Sequence, residues 1–230
     1  MITETKLNYF RALKSSFLLV FFITFIYRII DQLLTKKIEI LIRSSEGINS
    51  AIWIWVSLSL LTALFFPTVL TIVCAYALKN NSIYKIKDFL KKYFELSFLE
   101  TLRSWGISFL WGLLFIIPGL IKMSYYFLTI FIVLFNPDYA EGTADALKKS
   151  EEISKTNWIG LNLIVLLFYT VIPILTSLTL DEYTIFEKHA VTALIYTAIE
   201  ASLILFFNYL LLKLFLGKIT YHGGPDVVNV

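Results

Sequence analysis

Histidine and cysteine are nearly absent: the 230 residues hold two histidines and one cysteine, and only 16% of them are charged. A single cysteine, Cys74, excludes an intramolecular disulfide. Its place inside an apolar run makes it a small buried hydrophobe. His189 and His222 belong to no metal-ligand spacing, so the sequence offers no metal site. Gly223-Gly224 lacks the strand and helix that a phosphate-cradling loop requires. The net charge is only +3, and the basic residues lie between apolar runs without forming a tract, which excludes a nucleic-acid footprint. Nowhere do a nucleophile, a base and oxyanion donors cluster, so no catalytic residue and no cofactor are assigned.

What is abundant is apolar: 58% of the residues are hydrophobic, too many for the surface of a soluble globule of this size. Residues 51–78 and 156–180 carry no charge, and each exceeds the ~20 residues that a helix needs to cross a bilayer core. Apolar runs predict six spans at 13–34, 52–78, 102–117, 120–135, 158–178 and 191–216. All are read as helices, because lipid offers backbone groups no partners and the alternation of a barrel strand is missing. The amino-terminal basic residues and first apolar run lack a small-x-small cleavage site, so this run is read as a retained span. The expected fold is therefore all-α, a polytopic six-helix transmembrane bundle with two cytoplasmic amphipathic connector helices. A single transmembrane domain covers 1–220, and 221–230 forms a flexible cytoplasmic tail.

With six spans, both termini and the connectors at 79–103 and 138–157 share one side. That side carries 14 of the 20 Lys and Arg residues, which makes it cytoplasmic. Three prolines, Pro67, Pro118 and Pro173, each follow two apolar residues and divide the middle of the chain into similar units at 67–117 and 118–173. Each unit holds a charged stretch and then a tryptophan, Trp105 or Trp158, placed to anchor at the interface. The units read as parallel repeats. Pro118-Gly119 is expected to turn the third span into the fourth, and the resulting hairpin either crosses fully or stops short of the far face. A bend there would carry Lys122 to water at the outer surface.

In the first cytoplasmic connector, Ile83, Ile86, Phe89, Leu90, Tyr93 and Phe94 recur at helical spacing opposite Lys85, Lys87, Lys91 and Lys92. This pattern fits a helix lying on anionic lipid and, equally, one packed against the bundle. In the second, Ala140, Ala144, Leu147, Ser150 and Ser154 form a small-residue face suited to docking on another helix.

The string Ile116-Ile117-Pro118-Gly119, an aromatic-rich span, Asn136-Pro137-Asp138, Ala146-Leu147-Lys148-Lys149-Ser150 and Asn157-Trp158 resembles a group of six-span bacterial inner-membrane proteins. The group includes the membrane domain attached to some glycerophosphodiester phosphodiesterases. The similarity spans 105–173, with the rest alike in layout. It implies a bacterial inner-membrane scaffold of unassigned activity. This chain holds no soluble phosphodiesterase domain, so that enzyme's catalytic residues have no positions here.

Glu200 is the sharpest polar feature, since a carboxylate inside a membrane is costly and faces a partner or a cavity. Thr197, Glu200, Ile204 and Asn208 fall on one helical face. Arg28 in the first span lies at the same depth, about 5–6 Å outward of the span midpoint at 1.5 Å per residue. The pair Arg28–Glu200 is expected, with Asp31 as a competing partner and a bundle-stabilising role preferred to a proton or ion relay. Asn162 and Asn208 are further interior polar groups able to join helices. The functional expectation is a noncatalytic inner-membrane protein that organises membrane lipids or supports a membrane-protein partner. Its competitor is a transporter or channel for a small or lipidic solute. A continuous polar cavity containing Glu200 would favour transport; a tightly packed interior would favour the scaffold.

Overall fold

The computed structural model describes residues 8–44, 50–79 and 86–220. Lys85, Ile83, His222 and the tail 221–230 lie outside the described residues. Every regular element among the described residues is helical. Four stretches are long and apolar enough to cross a membrane: Tyr9–Arg43, Ser50–Lys79, Ile116–Phe135 and Ala190–Ile219.

The first two helices, α1 (Tyr9–Ser44) and α2 (Ser50–Lys79), pack along each other, and α1 also packs on the last helix, α10 (Ala190–Ile219). At 36 residues α1 is about 54 Å long, well beyond a bilayer core of about 30 Å. No Gly or Pro interrupts it, so the helix continues through Lys36, Lys37 and Arg43, past the predicted span end at 34. Its carboxyl-terminal half is tied to the segment before α10. Gln32 Nε2 donates to the Thr184 carbonyl at 2.9 Å, and the Phe186 N–H donates to Gln32 Oε1 at 3.2 Å. Lys36 Nζ pairs with Glu187 at 2.7 Å.

The next helix, α3 (Ile86–Leu114), is one unbroken rod where a connector helix and a separate span were expected. Its amino-terminal apolar face is already occupied. Phe89 is buried against Tyr76 of α2, with ring centroids 5.2 Å apart, while Ile86, Leu90, Tyr93 and Phe94 pack around the same core. Of the two alternatives open in the sequence, the bundle takes this face. Lys87 and Lys91 stay exposed on the other side.

The hairpin turn differs from the sequence expectation. The break falls at Phe115, whose backbone is extended, and Pro118-Gly119 lies inside α4 (Ile116–Tyr125). Pro118 is the third residue of that helix, where its missing N–H has no intrahelical acceptor to serve. Gly119 is where the return becomes possible. A Cβ there would lie 2.6 Å from Gly112 Cα and 3.1 Å from the Ser108 carbonyl oxygen, so only glycine lets α3 and α4 approach this closely. Pro67 and Pro173 likewise end no helix. Pro67 sits inside α2. Pro173 begins the second residue of α9 (Ile172–Leu180), after a π-helical turn at Leu167–Val171 in which the Ile172 N–H reaches back to the Leu167 carbonyl. That wider turn accommodates the hydrogen bond a proline cannot donate. With α8 (Trp158–Leu166), residues 158–180 form a continuous helical rod about 34 Å long.

The core is concentrated at one end of the bundle. α5 (Thr129–Phe135) is buried almost throughout, wedged among the carboxyl-terminal halves of α2 and α10 and the start of α3. Leu70, Ile72, Val73, Leu205, Leu211 and Leu212 enclose it. The short α6 (Pro137–Ala140) is capped by Asn136, whose side chain accepts from the Tyr139 N–H and donates from Nδ2 to the Ile219 carbonyl at 2.5 Å. Gly142, with φ at 74°, then turns the chain into α7 (Ala146–Thr156). Away from this core many large apolar side chains are exposed, among them Phe22, Trp53, Phe109, Ile116 and Leu178.

Candidate functional site

Two features stand out inside the bundle. The first is the ion pair. Arg28 Nε lies 2.7 Å from Glu200 Oε2, joining α1 to α10, and the guanidinium also sits 4.8 Å from the centre of the Tyr196 ring. Tyr196 and Glu200 are one turn apart on α10, so the same helical face supplies a counter-charge and an aromatic surface to one cation. Both side chains are about three-quarters enclosed, at 22% and 25% exposure. Asp31 lies one turn further along α1, and the structure gives Arg28 Nε to Glu200. Opposite charges side by side offset part of the cost of placing each in apolar surroundings.

The second feature is a cavity of about 610 Å³ between α2, α3, the α4–α5 pair and α10. Pro67, Trp105, Gly119 and Asn208 line it, four residues singled out in the sequence for other reasons. Glu200 and Arg28 do not. The walls are mainly apolar and carry no charged side chain. Thr68, Thr101, Ser104 and Thr129 contribute hydroxyls, each donating its proton to a backbone carbonyl three or four residues before it at 2.7–3.0 Å. Asn208 is only 3% exposed; its Nδ2 donates to the Ile204 carbonyl, and its Oδ1 has no partner among the described residues.

Toward the core end lies a charged layer that sequence reading did not assemble. Lys122 of α4 pairs with Glu151 of α7 at 2.9 Å, and Lys155 pairs with the same carboxylate at 2.9 Å. Arg103 of α3 lies 2.7 Å from Asp145, the residue that caps α7. Lys122 therefore faces the 138–157 connector and not the outer surface. The small-residue face of α7 docks where it meets α4: Ser150 and Ser154 both donate to the Tyr125 carbonyl, at 2.8 and 3.0 Å, satisfying an acceptor freed where α4 ends. Asn162 of α8 accepts from Ser124 Oγ at 2.7 Å and donates to the Trp158 carbonyl. It ties α4 to α8 and lies outside the cavity described above. Trp158 is half exposed, consistent with an anchoring position.

The charges in this layer reinforce one another. Hydrogen bonding to Lys155 and Lys122 holds the Glu151 carboxyl below its ordinary value, against the opposing effect of burial. At Asp145 burial pushes upward, but the Lys148 backbone N–H and the Arg103 guanidinium outweigh it and leave the carboxyl lowered. Burial, with Glu100 beside it, pushes the Tyr139 hydroxyl up to about 12. Lys122 and Glu151 are 29 positions apart, and the only local signal for their meeting was that Lys122 stood alone between long apolar runs.

Long apolar helices, a mostly enclosed ion pair and extensive exposed apolar surface define a multi-pass helical membrane protein. No family model, curated protein or solved structure matches the chain.

Proposed function

We propose that this is a noncatalytic, six-span protein of a bacterial inner membrane, with both termini cytoplasmic, that organises membrane lipids or supports a membrane-protein partner. The observation that carries the reading is the closed Arg28–Glu200 pair. The Glu200 carboxylate is taken up by a neighbouring cation and ring, outside the cavity, as suits a strut between α1 and α10. A path for ions or water would need polar groups along its length, and the cavity walls are mainly apolar. The six-span count takes residues 158–180, long enough to cross, and counts α3 and α4 as two helices of a membrane-inserted hairpin that leaves both its flanking connectors on one side whether or not it crosses fully. The resemblance to six-span bacterial proteins points the same way. Lys87 and Lys91, exposed in the first turns of α3, suit contact with anionic headgroups on the cytoplasmic side.

The experiment is gentle extraction into lipid nanodiscs, comparing the wild type with Glu200→Gln. The expected result is a membrane-protein partner recovered with the wild type, and a loss of about 1–3 kcal/mol of stability in the variant from an uncompensated guanidinium. A specific small solute held by the wild type and released by Glu200→Gln would overturn the reading in favour of transport.

A further inference from the structure

We infer that the cavity between α2, α3, α4–α5 and α10 is a binding site for a neutral membrane lipid carrying a free hydroxyl, which donates its proton to Asn208 Oδ1. The inference concerns a different place from the Arg28–Glu200 strut and stands independently of the partner-supporting role.

The cavity's size falls within the ~300–1,000 Å³ of small-molecule sites. Its rim includes Phe109, Ile116 and Leu120, all well exposed on the apolar hairpin, so the mouth opens sideways toward acyl chains and not toward water. Entry from the bilayer selects an apolar molecule.

Polar chemistry inside the cavity selects its head. A buried oxygen without a partner is costly, and Asn208 Oδ1 can only accept. The four hydroxyls whose protons go to nearby backbone carbonyls likewise present lone pairs. Pro67 adds another acceptor. Lacking an N–H, it cannot serve the carbonyl of Ala63 four residues before it, and both residues line the cavity. Thr71 and Ser108 also line it and can donate or accept, which suits an ester or a second hydroxyl near the head. A phosphate or carboxylate would meet this array of lone pairs with no cation in the walls. An ammonium would find acceptors but no counter-charge, an expensive arrangement at membrane depth. A neutral hydroxyl donor satisfies the array without either penalty.

Two lipid sources share this chemistry, a diacylglycerol and a long-chain isoprenoid alcohol, and the test separates them. The full chain in nanodiscs would be titrated with each alcohol, its methyl ether and its phosphate monoester, with bound lipid read by native mass spectrometry. At least one alcohol should bind about fivefold tighter than its ether, the worth of one hydrogen bond in an apolar site, and the phosphate should bind no better than the ether. Asn208→Leu should equalise alcohol and ether while retaining apolar binding, and Ala63→Phe, which fills the cavity from α2, should abolish both. Equal binding of alcohol and ether by the wild type would overturn the inference, because water alone would then satisfy Asn208. So would tighter binding of the phosphate, binding of neither alcohol, or discrimination that survives in Asn208→Leu. If Asn208→Leu does not fold, the wild-type discrimination together with Ala63→Phe decides.

Discussion

The side chains that matter in this protein are few, and each is matched to a partner on a distant helix. Arg28 meets Glu200, Lys122 meets Glu151, Ser124 meets Asn162, and Asn136 meets the Ile219 carbonyl. Depth matching made the first of these pairs legible in the sequence, since both residues belong to long uninterrupted helices whose rise per residue is fixed. The others involve short helices whose placement the chain alone does not fix. The α7 layer yields a prediction in pH. Asp145 and Glu151 have folded values held below their ordinary ones, so their contribution is present above those ordinary values and is lost as pH falls through the lowered folded values. The protection factors of the α7 amides, which remove the intrinsic pH dependence of exchange, should therefore fall below about pH 4. Lys155→Met and Arg103→Met together should reduce that acid sensitivity. Protection factors that remained constant from pH 6 to pH 3 would show that the carboxylates do not hold α7 in place.

Among the elements, the α3–α4 hairpin departs furthest from the sequence expectation. Apolar runs and prolines mark where helices can lie, but Pro118 is tolerated within a first turn, and the actual break was set one turn earlier at Phe115. The decisive element-scale contact is backbone on backbone, Gly119 against Gly112, which no hydropathy pattern signals. Gly119→Ala should force the two helices apart, with a destabilisation of about 1–3 kcal/mol and a lowered thermal midpoint in detergent. Gly112→Ala should be far milder, because a Cβ at Gly112 meets nothing within 4 Å. Equal effects at the two glycines would refute the close-approach account. The α7 connector illustrates the opposite case: its small-residue face predicted docking on a helix, and the tertiary structure supplied the address, the Tyr125 carbonyl.

For the whole molecule, the charged layer sets a depth scale. Between Arg103 and the tip at Phe115 lie 11 residues of α3, or about 16 Å, and between the tip and Lys122 about 10 Å of α4. Neither reaches across a core of about 30 Å. The tip residues Leu113, Leu114, Phe115, Ile116 and Ile117 are all exposed and apolar, as a hairpin ending inside hydrocarbon requires. On the proposed topology, which puts the charged layer at the cytoplasmic surface, Ile116→Cys should resist a membrane-impermeant thiol reagent from both sides of the membrane. On the same topology a cysteine at Lys37, in the extension of α1 past its predicted span, should label from outside. Labelling of Ile116→Cys from outside would show that the hairpin crosses fully.

Sequence by itself determined that the chain lives in lipid, that it is helical, and that an acid and a base share one depth in the first and last long helices. These properties follow from local quantities, namely the length of apolar runs, the demand that buried backbone bond within its own segment, and a constant helical rise. Only the tertiary structure decided where the hairpin turns, which surface Lys122 faces, and that Asn208 borders a cavity from which Glu200 is excluded. Those outcomes depend on how closely distant helices can approach. Gly119 and the serines of α7 govern that approach through contacts that a linear pattern does not encode.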